Sequence, residues 1–328
     1  MDELAKLGSL YPGSRIGVLL IHGLSGTPTE LSLLAKDLNH YGFTVLCPLL
    51  AGHCQSEADL LKTGWQDWYD SVEKAYQSFS QYMDAIFVGG ISAGAVLSLY
   101  LTQNRPGQLR GLGLYSITLH WDGWTIPKLS FLLPMVLRLP VIGKRYRFEE
   151  SYPYGIKNER IREKIYAKMM SGDSSTAGFS GIPGRSLLEL WQLVDIVKAG
   201  LPKLATPAFL AHACDDDIAS IRNALYIKEH IGGPSRLIAL ENSYHMITID
   251  QERKKVSFES ARWFYEHLTA AEKTELSSKA KNQTLMEDLA AVYSHQEKSP
   301  AELLQGLSRR KNWFKGGTAP RRASKSLF

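Results

Sequence analysis

Apolar residues in this chain fall into short unbroken runs separated by stretches with helical spacing. Val18-Leu19-Leu20-Ile21, Phe43 to Pro48, Ala85-Ile86-Phe87-Val88, Gly111 to Ile117, Pro207 to His212 and Ser235 to Leu240 each read as a buried strand. Pro28 to Tyr41, Trp65 to Tyr82 and Ala95 to Gln103 read as helices between them, and Val256 to His267 as an amphipathic closing helix. Strands alternating with helices predict an α/β fold with a mostly parallel, doubly wound sheet of about six strands. The alternation breaks at roughly 118–199. That segment is rich in large apolar residues, among them Trp121, Trp124, Phe131, Leu133, Met135, Phe148 and Trp191, and is expected to form a helical cap.

Gly90-Ile91-Ser92-Ala93-Gly94 lies between one of these strands and its helix. A serine at the tip of a tight strand-to-helix turn leaves little room beside it, so glycines are needed two residues to each side. The hydroxyl then stands clear of the sheet edge, and the following helix N-terminus favours a developing negative charge. The pattern alone is weak, and its context gives it weight. Serine is a poor nucleophile at neutral pH and needs a base, which in turn needs an orienting acid. The strand ending at His212 runs into Asp215, Asp216 and Asp217, and the strand ending at Leu240 leads to His245. Ser92, an aspartate and His245 therefore fall at the carboxyl ends of three of these strands, where open α/β sheets place ligands. An early loop, His22-Gly23-Leu24-Ser25-Gly26, follows the first strand and supplies a further candidate part.

These segments resemble the small microbial carboxylesterases and monoacylglycerol lipases of the α/β-hydrolase superfamily. The resemblance rests on Leu20 to Pro28, Ala51-Gly52-His53, Thr63 to Trp68, Gly89 to Gly94 and Ser243 to Asp250. It covers about residues 13 to 268. It implies Ser92 as nucleophile, His245 as base, and backbone N–H groups of Leu24 and Ala93 as oxyanion donors. Only about fourteen residues precede the first strand, so the usual leading hairpin is expected to be missing or reduced. The family's acid stands eight residues before a small residue on the next helix, and counting back from Ala224 favours Asp216. Asp215 fits the alternative D-x-x-I form. Three adjacent carboxylates repel one another, so one is expected to face the histidine while the others stay solvated. Leu24, Cys54 and Tyr244 depart from the family's usual residues without removing a reactive group.

The activity implied is hydrolysis of carboxylic esters with short or medium acyl chains, or of monoacylglycerols, through an acyl-enzyme and with no cofactor or metal. A thioesterase, an acyltransferase or a non-catalytic hydrolase-fold binding module are the alternatives. The stretch from Phe131 to Ile142 is a candidate wall for an acyl chain. His22, His53 and His212 read as hydrogen-bonding supports. Pro134, Arg138 and Pro140 break the longest apolar stretch, which is too short to span a bilayer.

Of the 328 residues, 1–269 are expected to form the catalytic domain and 270–328 a basic tail, partly helical or disordered. The tail holds 11 basic and 6 acidic residues, against 38 and 33 in the whole chain, so 27 of each remain before it. The entire net charge of +5 thus sits in the tail. Such a tail suits weak contact with an anionic membrane or an acidic carrier protein. No folded reading motif accompanies the charge, so nucleic acid is not expected as a partner. Three cysteines, Cys47, Cys54 and Cys214, have no C-x-x-C spacing, and Met1-Asp2-Glu3-Leu4 lacks a basic n-region, so a cytoplasmic protein is expected.

Overall fold

Period-two alternation along the central strands divides the core into two layers, one on each face of the sheet. In β2 (Ile16–Ile21), Leu19 and Ile21 enter one layer while Ile16, Val18 and Leu20 enter the other. Both sets are buried, which is why the strand reads as a continuous apolar run rather than an alternating one. The remaining strands are β1 (Gly8–Tyr11), β3 (Thr44–Pro48), β4 (Ala85–Ile91), β5 (Gly111–Tyr115), β6 (Arg147–Glu149), β7 (Gly181–Pro183), β8 (Ala208–Ala213) and β9 (Ser235–Leu240). The computed structural model describes residues 1–127, 132–138, 146–149, 151–170, 181–281, 283–290 and 302.

The main sheet has seven strands in the order β1-β3-β2-β4-β5-β8-β9. Six run parallel; β1 pairs antiparallel with β3, from Gly8 opposite Pro48 to Tyr11 opposite Val45. The sheet is thus one strand wider than expected. Gly8 to Tyr11 is only half-buried and edge-on, so it lacks the apolar run that makes the other strands legible.

Helices α1 (Ser32–His40), α2 (Trp65–Ser80), α3 (Ala93–Asn104), α4 (Gly184–Gly200), α5 (Arg222–His230) and α6 (Arg253–Glu266) cover the two faces. Nearly all of α3 is buried, from Ala93 to Leu101, which matches its unbroken apolar sequence. Leu190, Leu193, Val194 and Val197 of α4 enter the same core layer, so this last helix of the inserted segment packs with the body. Elsewhere among the described residues of the insertion, β6 pairs with β7, Phe148 opposite Ile182, and Leu137, Ile182 and Leu187 form a small cluster with Trp121 and Phe148 against it. In the 131–142 stretch, Leu137 is buried, Leu132 and Met135 are exposed, and Phe131 with 139–142 lies outside the described residues.

Two further helices, α7 (Ala270–Lys279) and α8 (Gln283–Ala290), follow the compositional break at 270. They belong to the second core layer, where Leu276, Met286 and Leu289 are buried beside Leu34, Leu38, Val256 and Phe264. Thr269 caps α7 reciprocally with Glu272. Lys281 N–H donates to the His40 carbonyl at 2.9 Å, and Arg110 pairs with Glu272 at 2.6 Å. Gly42, at φ 101°, packs against the Leu276 carbonyl, where a side chain would overlap it. The basic end from 309, with Trp313 and Phe314, lies outside the described residues. Among the described residues no helix is long and apolar enough to cross a membrane.

Because Leu276 is fully buried, Leu276→Ala should destabilise the protein by about 2–5 kcal/mol in denaturant unfolding. Deletion of residues 271–328 should lower thermal stability at least as much, although it removes no residue of the candidate site. An unchanged midpoint in both would show that α7 is not part of the cooperative core.

Candidate active site

Ser92 occupies the turn from β4 into α3 with φ 56° and ψ −117°, a backbone conformation that costs a non-glycine residue about 1–3 kcal/mol. The turn is held from both sides. Ser92 N–H donates to the Tyr115 carbonyl at the end of β5, at 2.9 Å. A side chain at Gly90 would overlap the Gly94 backbone, and one at Gly94 would overlap the Ile21 and His22 carbonyls. The glycines two residues to each side are therefore required by contact with β2 and with each other. The Ser92 hydroxyl lies 3.0 Å from Thr118 Oγ1. Thr118 itself donates to the Ser116 carbonyl at 3.2 Å, which makes Ser92 the donor to Thr118.

Asp216 and His245 are brought together. Asp216 follows β8 and His245 follows β9, neighbours in the sheet, and His245 Nδ1 lies 2.8 and 3.0 Å from the two carboxylate oxygens. Asp216 Oδ1 also accepts from the N–H groups of Ile218 and Ala219, each at 2.8 Å, and His212 Nε2 stands 3.2 Å from Oδ2. Burial alone pushes this carboxyl up, but His245 and His212 more than offset it and hold Asp216 well below the usual carboxylate range. Asp216 is thus an ionised acceptor at neutral pH, which places the His245 ring proton on Nδ1. Asp215 is half-buried at the rim, 3.8 Å from Lys157 Nζ, and does not reach the ring.

The expectation that the other two aspartates stay solvated fails for Asp217, which is fully buried. Its carboxylate accepts from the backbone N–H groups of Gly155 at 2.9 Å and His245 at 3.3 Å. These donors substitute for water. They do not remove the whole cost: burial and the adjacent Asp216 charge push its carboxyl up to about 6.

The loop after β2 has one peptide fixed from several directions. The Gly23 carbonyl accepts from His22 Nδ1 at 2.9 Å and from Gly26 N–H at 3.2 Å. Because the peptide is planar and trans, anchoring this carbonyl aims the Leu24 N–H the opposite way. Gly23 N–H donates to Glu30 Oε2 at 3.1 Å, and the same carboxyl bonds the Thr27 backbone. A Cβ on Gly23 would stand 3.6 Å from Ser92 Cβ, so the loop lies directly against the serine turn. Ala93 is the first residue of α3, so its N–H has no acceptor within the helix. Burial holds His22 down to about 3 and His53 to about 4, so both rings are neutral supports, with His22 Nε2 accepting from Leu50 N–H.

Glu30 and Asp217 are not legible in the sequence as parts of the site. Glu30 reaches a pocket sunk in the protein, and burial pushes its carboxyl up to about 7 despite the bonds to Gly23 and Thr27 and the nearby His245. Ser92 and His245 line the same pocket, with Leu24 beside them. Its walls are mainly apolar: Trp121, Phe148, Ile182 and Leu190 come from the inserted segment, and Ile218 and Met246 from the body. Trp121 and Phe148 meet edge to face at 4.6 Å, so the same rings serve the cap's cluster and the pocket wall.

Comparison with known proteins agrees with this geometry. Residues 13–252 match the family described as serine aminopeptidase, S33. The chain is 31% identical over 253 residues to a thermostable monoacylglycerol lipase of Bacillus sp. (strain H-257), covering 77% of this chain and 91% of the relative. It is 24% identical over 248 residues to a carboxylesterase of Bacillus subtilis (strain 168), covering 75% and 91%. A monoacylglycerol lipase structure from Paleococcus ferrophilus superposes with a TM-score of 0.67 at 17% identity, over 79% of this chain and 98% of that one, and shows the shared fold. The family match runs from β2 through β9 and includes Ser92, Asp216 and His245, so this chain belongs to the serine aminopeptidase family S33, with the α/β-hydrolase fold.

Proposed function

We propose that the protein hydrolyses carboxylic esters with short or medium acyl chains, monoacylglycerols included, with Ser92, His245 and Asp216 as its catalytic residues. The observation that carries the reading is an apolar-walled pocket that contains Ser92 and an aspartate-held histidine beside the loop of Leu24. Relatives named monoacylglycerol lipase and carboxylesterase support an ester rather than a peptide as substrate.

Ser92 Oγ attacks the ester carbonyl carbon as His245 Nε2 takes its proton. Asp216 holds the imidazolium, and the N–H groups of Leu24 and Ala93 bind the oxyanion. The bond to the alcohol oxygen then breaks as His245 protonates it, and a water molecule repeats the sequence on the acyl-enzyme. The Ser92–Thr118 bond parks the hydroxyl of the free enzyme until substrate enters, when it turns to His245. Apolar walls favour the acyl chain, at about 0.8 kcal/mol per buried methylene. The same proposal includes a cytoplasmic setting, supported by three cysteines without a disulfide. It also includes weak attraction of the basic tail to an anionic membrane or acidic carrier, which salt would screen.

Ser92→Ala should abolish fluorophosphonate labelling and lower turnover of p-nitrophenyl esters by several orders of magnitude with the fold intact. Labelling that persists in this variant would remove Ser92 from the mechanism, and a panel in which acyl-thioesters alone turn over would replace the ester reading.

Asp216→Asn should reduce kcat by about three to four orders of magnitude, because the amide no longer fixes the His245 tautomer. Asp215→Asn should stay within a few-fold of the parent. The reverse ranking at equal stability would reassign the acid.

Glu30→Leu removes the acceptor for Gly23 N–H and should lower kcat at least about tenfold with KM little changed, as expected for a misaligned oxyanion donor. Glu30→Gln keeps a carbonyl acceptor and should retain most of the activity. Equal loss in both variants would show that the charge of Glu30, rather than its bracing of the loop, is what matters.

A further inference from the structure

The inserted segment and the histidine loop share a buried junction that the mechanism above does not use. Gly155, at φ 70°, seats its Cα against the histidine: a Cβ there would stand 3.2 Å from His245 Cβ and 2.9 Å from Met246 Cγ. Met246 N–H donates to the Gly155 carbonyl at 2.8 Å. In return, Gly155 N–H donates to Asp217 Oδ2, while Asp217 Oδ1 takes the N–H of His245. The Asp217 carbonyl accepts from the Thr125 hydroxyl at 2.6 Å and its N–H at 3.2 Å, binding the start of the insertion to the same residue. Asp250, also buried, repeats the arrangement one step along. It accepts from Lys157 N–H at 2.8 Å and from Asn158 and Tyr244 N–H at 2.9 Å.

We propose that Asp217 is a positioning residue that couples the seating of the cap to the placement of His245. One carboxylate, through two oxygens, fixes a cap peptide and the histidine's own peptide relative to each other. Displacing residues 155–158 therefore displaces the base, and a substrate that settles the cap also settles the base. The inference rests on the catalytic role of His245 proposed above.

The charges around Asp217 set the sign of its pH behaviour. On its own loop it faces Asp216, and on the histidine loop His245 and the Tyr244 phenol. Among the described residues, the insertion offers it the Gly155 and Thr125 groups. Lys157 pairs with Asp215 at the rim, and Arg162 donates to the Ile156 carbonyl at 3.1 Å. A negative Asp217 stabilises the His245 imidazolium, so neutralising it should lower the apparent pKa of the base. Its own carboxyl is raised to about 6 in the folded state, above the unfolded value of 3.8. Folded protein therefore binds this proton more tightly, and the associated stability is lost as pH rises through about 6.

The test is Asp217→Asn in the full chain. Asparagine offers one acceptor oxygen and sets its NH2 against the other N–H, so either Gly155 or His245 must be released. Turnover of a soluble acetyl ester should lose about tenfold in kcat with KM within a few-fold. The acid limb of kcat/KM should move to lower pH. The melting temperature of the variant relative to the parent should rise between pH 5 and pH 8 as the parent loses the Asp217 proton, whereas the shifted acid limb is the readout that a merely structural residue would not move. Gly155→Ala, strained at its positive φ and pressed on His245, should give the same kcat loss, and the double variant should add little to either single change. Parent-like kcat and acid limb in Asp217→Asn would overturn the inference, as would losses that multiply in the double variant. The underlying reading fails separately, by survival of activity in Ser92→Ala.

Discussion

Close approach between the Ser92 turn and the end of β2 is the constraint on which the site depends. Two strands of a parallel sheet lie about 5 Å apart, and the chain must reverse from strand to helix within that spacing. Gly90 and Gly94 allow it by leaving the space beside the Ile21 and His22 carbonyls empty. The positive φ of Ser92 is then tolerated, because β5 holds its N–H and α3 buries almost everything that follows. The same proximity lays the Gly23–Leu24 peptide against the serine. The Gly23–Leu24 loop and the Ser92 turn are therefore neighbours because of how β2 and β4 pair, from Ile16 opposite Ala85 to Ile21 opposite Gly90.

Around this turn, carboxylates of very different character stand within one pocket wall and its backing. Asp216 meets two histidines and two backbone N–H groups and stays ionised. Asp217 next to it accepts from the backbone N–H groups of Gly155 and His245, faces the Asp216 charge and is held near 6. Glu30 bonds the Gly23 and Thr27 backbone of the loop after β2 and is held near 7. Asp216 bonds the imidazole of His245 and Asp217 the His245 peptide, so the environments separate although the residues do not, while Glu30 bonds the Gly23 peptide.

Much of this is legible in the order of residues alone. The strands buried on both faces, the serine turn, the position of His245 and the insertion after β5 all follow from local pattern, since each is encoded by consecutive residues. The preference for Asp216 over Asp215 rests on its distance to Ala224; in the structure His245 Nδ1 stands 2.8 Å from an Asp216 carboxylate oxygen. What is not legible depends on partners remote in sequence. Asp217 is buried because Gly155, 62 residues earlier, lends it an N–H. Charge composition places a boundary at 270, yet three apolar residues on two helices, Leu276 on α7 and Met286 and Leu289 on α8, continue the core beyond it. Their burial is set by the open face of α1 and α6, which composition does not reveal.

That late closure has a consequence for how the protein is made. Every group assigned to chemistry has emerged by residue 245, and the last strand by residue 240, but the apolar layer over α1 and α6 is finished only by residue 289. Parallel sheets with many distant pairings fold slowly, and nascent chains fold from the N-terminus onward. A growing chain therefore presents an assembled but uncovered hydrophobic face while its last segment is synthesised. Until Leu276, Met286 and Leu289 are in place, the apolar face of α1 and α6 is uncovered, and surface of that kind invites aggregation and chaperone capture.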